Sequence, residues 1–182
     1  MKTTDLLAFD IGASNGRGII ARFDGERITL QRVGGFENNF IPQGSLGHWD
    51  FHHIFQELKA CFQKARQQGF EPACFGIDTW GVDYGLVNGA GELIENPRAY
   101  RCATDAEMEA AWQKVGRKRM FEHTGIAALN FNTVYQLYRR VLQGDEALKK
   151  ARALLMMPDL LGYYLTGEIA TEYTNATTTG LL

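Results

Sequence analysis

The stretch LLAFDIGASNGRGIIARF, residues 6–23, contains two apolar runs separated by a polar turn that includes two glycines. Leu6–Ile11 predicts a buried strand, and Gly18–Phe23 predicts a second strand directly after the turn. A third strand is expected at about Arg27–Val33, because the preceding Asp24–Gly25 pair is typical of a turn. Three consecutive strands with tight connections indicate that the domain begins with an antiparallel meander.

The turn between the first two strands combines a carboxylate, glycines and an arginine. Asp10 ends the strand and can hold Mg²⁺ through water, while Arg17 can neutralise the charge of a phosphate. Gly12 and Gly16 allow turn N–H groups to converge on an anion. The pattern alone is equally compatible with an ordinary β-turn that carries an exposed aspartate. It lacks the lysine of a Walker loop and does not open a helix as a dinucleotide fingerprint does. A turn of this kind between two strands resembles the phosphate-binding hairpin of the actin-like ATPase superfamily.

The pattern downstream predicts an α/β fold with a mixed sheet. Asp50 is a plausible N-cap for an amphipathic helix at about Phe51–Gln68, and Ala73–Thr79 predicts a buried strand. Strand, helix and strand in succession imply a crossover and a parallel pair. Further elements are expected as follows: a loop marked by Pro42, Gly44 and Gly47, a hairpin at Val82–Ile94, a helix after a capping box of Thr104 and Glu107, a helix at Asn132–Leu142, a strand at Leu154–Met157 and a helix at Leu160–Leu165 closed by Gly167.

A second polar motif, GIDTWGVDYG at residues 76–85, follows an apolar lead-in. Ligands of α/β sheets lie at the carboxyl ends of strands, where this motif is expected. Trp80 could offer a flat apolar face to a sugar and Gly81 could leave room for its ring. Asp83 or Asp78 could accept hydroxyl hydrogen bonds. The alternative makes Trp80 a core aromatic residue and Asp83 a hairpin residue. A later polar run, Thr171–Thr179, is either an ordered binding loop or a frayed end.

Composition excludes several classes of protein. The 182 residues are 45% hydrophobic with a net charge of −2 and no basic run, so a nucleic-acid partner is not expected. No apolar stretch is long enough for a membrane span or a secretory signal, so a soluble cytoplasmic protein is expected. The histidines share no metal-binding spacing. The three cysteines fit no metal or disulfide pattern, and each is expected to be a small buried apolar residue.

Six strings in order resemble the FGGY family of carbohydrate kinases, and within it most closely the rhamnulokinase branch. They are AFDIGASNGRGII, FGIDTWGVDYGLV, PRAYR, TGIAALNFNTVYQL, LLMMPDLLGYYLTGE and TEYTNATTTGLL. The resemblance implies a ribonuclease H-like (actin-like ATPase) fold with a mixed β-sheet flanked by helices. It also implies transfer of the γ-phosphoryl group of ATP to a sugar hydroxyl with Mg²⁺, here from L-rhamnulose to L-rhamnulose 1-phosphate.

Site residues follow from the same resemblance. Asp10 is expected to support the metal, and the ATP phosphate loop is expected to comprise Ala13, Ser14, Asn15, Gly16 and Arg17. Gly81 is expected at the sugar with Trp80 beside it. Asp83 completes the expected sugar-binding set on the strength of the polar motif rather than of the resemblance.

Two departures from the family pattern are visible. Gln136 stands where the wider family often has a lysine, and the Ser-His-Asp-Thr-like string that carries the family's catalytic base is absent. Residues 1–182 are therefore expected to be an N-terminal domain cut off before a second domain, inactive alone and able to self-associate through the exposed inter-domain face. Alternatives are a kinase for another deoxyketose such as L-fuculose, and a non-catalytic actin-like binding module.

Overall fold

The structure is a computed structural model that describes residues 3–43 and 46–182. The chain divides into two compact units, Met1–Asn39 with Asp50–Trp80 and Phe40–Trp49 with Gly81–Leu182. Within the described ranges, no helix has the length and apolar character that a membrane crossing requires.

The strands and helices follow one another as mixed α/β structure. The strands are β1 Thr4–Ile11, β2 Asn15–Phe23, β3 Ile28–Glu37, β4 Phe40–Gln43, β5 Leu46–Trp49, β6 Pro72–Thr79, β7 Tyr84–Val87 and β8 Ala153–Met156. The helices are α1 Phe51–Gln67, α2 Asp105–Val115, α3 Arg117–Thr124, α4 Thr133–Leu142, α5 Glu146–Lys150, α6 Met157–Thr166 and α7 Tyr173–Thr177.

The first unit is built on a four-stranded sheet in the order β3-β2-β1-β6. β1 pairs antiparallel with β2 and parallel with β6. The predicted meander, the parallel pair and the mixed sheet are therefore confirmed. β2 begins at Asn15, three residues earlier than predicted, because its pairing with β1 continues through the polar residues up to the turn.

Helix α1 packs against this sheet as its apolar periodicity predicts. Asp50 caps it, since the Asp50 carboxylate accepts a hydrogen bond from the His53 N–H over 3.0 Å. The buried side of α1 includes Ile54, Leu58 and Cys61. These residues continue the core formed by the inward-facing apolar residues of β1, which are Leu7, Phe9 and Ile11.

Strand β6 is more exposed than the sequence predicted. Among the described residues it pairs with β1 alone, so it forms one edge of the sheet. Cys74 is exposed, and Cys102 is half-buried, so the prediction of a buried thiol is correct only for Cys61. A short apolar run does not distinguish an edge strand from a central one, because the difference lies in what packs beside it.

The second unit contains two two-stranded sheets, β4-β5 and β7-β8, and helices α2–α7. The loop expected around Pro42 and Gly47 is instead an antiparallel hairpin in which these two residues face each other. Gly44, the third residue of that prediction, lies outside the described residues. Pro42 is tolerated in β4 because this hairpin has only two strands and Pro42 needs no second partner.

Helix ends in the second unit agree in part with the sequence. Gly167 closes α6 in the left-handed conformation, as predicted. Thr104 precedes α2, but its hydroxyl donates to the Glu107 carboxylate rather than accepting from a backbone N–H, so a full capping box does not form. The polar run at residues 171–179 contains helix α7. The Glu172 carboxylate caps it by accepting from the Thr174 and Asn175 N–H groups, so this run is not a frayed end.

Candidate functional site

The turn between β1 and β2 carries an ion pair that the strand register creates. Asp10 and Arg17 are paired residues of the antiparallel ladder, and Arg17 Nε donates to Asp10 Oδ2 over 2.8 Å. Their side chains are 46% and 50% exposed. Water screens such a pair, so it adds little to stability and opens at small cost. Both charges are therefore available to a phosphate or a cation.

A second carboxylate lies beside Asp10. Asp78 of β6 is its register neighbour in the parallel pair, and neighbouring residues of one sheet project from the same face. No group of three metal-binding side chains occurs within residues 3–43 and 46–182. One or two carboxylates nevertheless suit Mg²⁺, which keeps most of its waters and completes its shell with substrate phosphate oxygens. The residues present fit that ion.

The turn itself is closed by a hydrogen bond from the Gly12 N–H to the Asn15 carbonyl over 2.8 Å. Ser14 and Asn15 are exposed, and Ala13 is half-buried. Gly16 is buried, and a side chain there would collide with the ring of Phe36. Glycine at position 16 is therefore explained by packing, and any contact of this residue with a nucleotide would be made by its backbone.

Asn38 supports this turn from the end of β3, and the sequence analysis did not identify it. Its backbone N–H donates to the Ser14 carbonyl over 2.9 Å, and its Nδ2 donates to the Gly12 carbonyl over 3.0 Å. Asn38 is buried, and its Oδ1 accepts no hydrogen bond from the described part of the chain. The residue lies 26 positions from Gly12, so local spacing could not indicate it. Only the pairing of β2 with β3 brings it back to the turn.

Trp80 belongs to the first unit, directly after β6. The backbone N–H of Trp80 donates to the carbonyl of Ile11 over 3.2 Å. This hydrogen bond fixes the Trp80 backbone at the end of β1, one residue beyond Asp10. The side chain is half-buried. The structure thus brings Trp80 and the turn residues 10–17 to the carboxyl ends of the same two strands.

Gly81 begins the larger part of the second unit and is exposed. A Cβ added to it would meet no atom within 4 Å, and its φ lies outside the left-handed region. Neither packing within the described residues nor backbone conformation therefore requires glycine at this position. Close approach of a ligand is a sufficient reason for it.

Asp83 does not have the setting expected of a residue that contacts a sugar. It is 0% exposed, and Oδ2 accepts from Trp49 Nε1 over 2.6 Å and from the Tyr100 N–H over 3.2 Å. Oδ1 accepts from Gln136 Nε2 over 3.1 Å. Three segments of the second unit converge on this one carboxylate, and its contact with a sugar stays a prediction. Asp83 organises the interior of the unit in this conformation.

Tyr84 follows Asp83 and is also buried. Burial raises the pKa of the Tyr84 phenol to about 12. The phenol therefore stays protonated at neutral pH, and it is unsuited to act as a general base for a sugar hydroxyl.

Comparison with curated proteins gives a consistent result. Rhamnulokinases of Halalkalibacterium halodurans and Lactiplantibacillus plantarum are 41% and 38% identical over 97% of this chain. That of Pectobacterium atrosepticum is 37% identical over 100% of it. The chain spans only 36–38% of the length of these relatives.

Solved structures show the same fold at low identity. A ligand-bound xylulose kinase from Lactobacillus acidophilus superimposes with a TM-score of 0.84 at 16% identity, covering 98% of this chain and 36% of that one. Plasmodium falciparum glycerol kinase with ADP superimposes with a TM-score of 0.73 at 16% identity, covering 99% and 38%. Residues 6–182 match the family described as "FGGY family of carbohydrate kinases, N-terminal domain". This chain belongs to the FGGY family of carbohydrate kinases.

Proposed function

We propose that this chain is the N-terminal domain of an ATP-dependent ketose kinase that converts L-rhamnulose into L-rhamnulose 1-phosphate. The observation that carries the proposal is the turn that holds Asp10 and Arg17 at the carboxyl ends of β1 and β6, next to Asp78. Such a set suits the triphosphate of a nucleotide and its cation. The choice of sugar is supported by relatives that are rhamnulokinases at 36–41% identity.

The reaction transfers one phosphoryl group. The hydroxyl oxygen on C1 of the ketose bonds to the γ-phosphorus of ATP, the bond from that phosphorus to the β,γ-bridging oxygen breaks, and the hydroxyl proton passes to a base. ADP is the leaving group. Catalysis of this transfer is mainly positioning and neutralisation of charge. Bound Mg²⁺ would neutralise charge on the phosphate oxygens.

The chain's own residues have separable parts in this proposal. Arg17 releases Asp10 to pair with phosphate oxygens, and Asp10 and Asp78 would hold the cation. Backbone groups of residues 13–16 hold the phosphates. Asn38 fixes the turn through its hydrogen bonds to the turn carbonyls. The sugar approaches Gly81, beside Trp80. Asp83 supports this region from the interior and does not touch the sugar.

We further propose that a second domain, in the part of the relatives that this chain does not span, supplies the general base. Losing a general base costs about 10²–10⁴-fold in rate. Losing the groups that hold both substrates together costs more. The chain of 182 residues should therefore bind ligands weakly and turn over very slowly.

The test is ADP release by the extended protein across a panel of ketoses, with the 182-residue chain assayed in parallel. Stimulation by L-rhamnulose with a silent short chain is the expected result. Stimulation by L-fuculose or another ketose would retain the reaction and overturn the choice of sugar. No stimulation by any ketose would overturn the kinase proposal in favour of a non-catalytic binding module.

A further inference from the structure

Val82 adopts a backbone conformation that is unfavourable for its residue type. Its φ is 69°, and it is the one residue other than glycine with a positive φ within residues 3–43 and 46–182. The Asp83 N–H donates to the Gly81 carbonyl over 3.0 Å, so Gly81–Val82–Asp83 forms a γ-turn with a left-handed central residue. Such γ-turns are rare and strained, and a β-branched side chain adds to the strain.

Two side chains from the first turn of α4 hold this γ-turn. The carbonyl of Val82 accepts from Thr133 Oγ1 over 2.8 Å and from Gln136 Nε2 over 3.2 Å. Thr133 is fully buried, so its hydroxyl is not diverted to water. A strained backbone persists only where its surroundings over-determine it, and these two donors aimed at one carbonyl meet that condition.

Gln136 also connects the γ-turn to the structure around it. Its Nε2 lies 3.1 Å from Asp83 Oδ1 and 2.9 Å from the Phe131 carbonyl oxygen, in addition to Val82. Three acceptors thus surround a nitrogen that carries two hydrogens. One side chain therefore fixes both residues that follow Gly81, and Asp83 is fixed a second time by Trp49.

The γ-turn joins exposed Gly81 to buried Asp83. Gly81 faces open space, so the γ-turn is not needed to avoid a clash there. Strain of this kind is concentrated at ligand-binding and active sites, where it orients a group for a partner. The group that this γ-turn orients is the exposed backbone of Gly81.

We propose that Gln136, together with Thr133, is a positioning residue for the sugar. It holds the strained γ-turn so that the Gly81 backbone meets the substrate at a fixed distance. This inference rests on the proposed function, in which Gly81 is the sugar contact, and it assigns to Gln136 a role that acts through Gly81 rather than by touching the substrate.

The test compares three variants in the extended protein. Gln136→Leu keeps a similar volume and removes the donor. It should raise the KM for L-rhamnulose by between about tenfold and 100-fold, the range that a small misplacement near the chemistry produces. The KM for ATP should stay within about twofold of that of the unaltered protein. Gln136→Lys offers an ammonium with three hydrogens to the same three acceptors and should restore most of the sugar affinity.

Tyr135→Phe is the matched control for loss of stability. Tyr135 is the buried neighbour of Gln136 in α4, and its hydroxyl accepts from Trp112 Nε1 over 3.2 Å. Its removal should lower the melting temperature and leave both KM values unchanged. A purely structural role of Gln136 would have that same signature, because partial unfolding reduces the active fraction and therefore kcat, without changing KM.

The outcomes separate this inference from the proposed function. If no ketose is phosphorylated by the unaltered protein, both the proposed function and this inference are overturned. If L-rhamnulose is phosphorylated and Gln136→Leu has an unchanged sugar KM, the inference alone is overturned. If Gln136→Leu does not fold, Val82→Gly decides, since it frees the γ-turn without removing a donor. A raised sugar KM in Val82→Gly supports the inference, and an unchanged one overturns it.

Discussion

Gly81 and Gly85 lie four residues apart and have opposite surroundings. A Cβ at Gly81 would meet nothing within 4 Å, whereas one at Gly85 would lie 2.6 Å from Leu160 Cδ2 and 2.9 Å from Leu93 Cδ1. Leu160 is fully buried and cannot move aside without disturbing the core. The two glycines therefore separate the effect of a methyl group on ligand binding from its effect on packing.

We expect Gly81→Ala to leave the melting temperature unchanged and to raise the KM for the sugar. An extra methyl group against a bound substrate costs about 1–3 kcal/mol, or roughly 10-fold to 200-fold in specificity. Gly85→Ala should instead lower the free energy of unfolding by about 1–3 kcal/mol through overpacking, with the sugar KM unchanged. Thermal melts and steady-state kinetics of the extended protein measure both quantities. Destabilisation of Gly81→Ala with normal kinetics would contradict the assignment of Gly81 to the sugar.

His48 provides a test of pH dependence at the residue scale. Burial lowers the pKa of the His48 imidazole, and the neighbouring Glu95 opposes this shift while Arg98 and Arg140 add to it. His48 Nδ1 is buried and makes no hydrogen bond to any residue that the structure describes. A base whose pKa is lower in the folded state binds protons more readily when unfolded. Its contribution to stability is therefore complete above the unfolded pKa of about 6.5 and declines as the pH falls below it.

We expect the free energy of unfolding of the chain to decrease between pH 7 and pH 5, with a slope from this group of at most about 1.4 kcal/mol per pH unit. His48→Gln should remove that part of the slope, because glutamine does not titrate. Urea denaturation at several pH values measures the difference between the two proteins. Parallel pH profiles would show that His48 does not contribute.

Asp10 and Asp83 illustrate how far the sequence alone predicts where a candidate site residue lies. Asp10 was predicted at the turn and lies there, because a short hairpin fixes its position within ten residues of chain. Asp83 was predicted at the sugar from its place in a polar motif and is buried. Its partners Trp49, Tyr100 and Gln136 come from segments 17–53 residues away, and no local pattern reports that they converge.

At the scale of elements, buried charges join α4 and α5 to the segment between β7 and α2. Asp145 Oδ2 accepts from an Arg98 amino group over 2.6 Å and from an Arg140 amino group over 3.3 Å. Arg140 also pairs with Glu95 over 2.6 Å, and its side chain is only 3% exposed. Asp145 in addition caps α5 by accepting from the Ala147 N–H. Burial would raise the pKa of Asp145, but the Leu148 N–H and both arginines lower it further than burial raises it.

We expect Asp145→Ala to lower the free energy of unfolding by about 3–5 kcal/mol. The substitution leaves the buried Arg140 without one of its two carboxylate partners. The matched control is Glu146→Ala, next along α5. Glu146 pairs with Lys149 at the surface, with exposures of 69% and 62%, and such a pair is worth about 1 kcal/mol or less. Urea denaturation of the chain measures both variants. Equal losses in the two would show that burial of the network does not matter.

The elements predicted correctly are those with a strong local signal. Helix α1 has an N-cap and a sustained apolar stripe, and α6 has a closing glycine. The sequence predicts a loop where the hairpin β4-β5 lies, because Pro42 and Gly47 are typical of turns. Helix α3 was not predicted, since its charged residues give it little apolar periodicity and no residue in it is buried.

At the scale of the whole molecule, fold and specificity depend on different amounts of sequence. Kinases named for xylulose and glycerol share this fold at 16% identity. An alternation such as Leu7, Phe9 and Ile11 suffices for a buried strand and tolerates many substitutions. In the proposed function, the choice of sugar depends instead on a few polar and glycine positions. The fold can therefore be predicted from the sequence pattern. The supporting contacts of Asn38 and Gln136 join residues far apart in the chain, and no local pattern indicates them.

Strand β6 forms an edge of the four-stranded sheet. Among the described residues this strand pairs with β1 alone, and Cys74 on it is exposed. An unpaired edge offers N–H and C=O groups to another chain. We expect the 182-residue chain to self-associate as its concentration rises, because a second copy can pair along this edge.

Sedimentation equilibrium in the presence of a reductant measures this association without interference from disulfide formation. Cys74→Lys should shift the chain towards monomer, because a lysine on an edge strand opposes pairing between copies through charge repulsion. Cys74→Ser is the matched control, since it removes the same thiol without adding a charge and should associate like the unaltered chain. A clean monomer of the unaltered chain at high concentration would contradict the prediction. Equal association of the lysine and serine variants would exclude the β6 edge as the contact and direct attention to other exposed apolar residues of the sheet, such as Leu30.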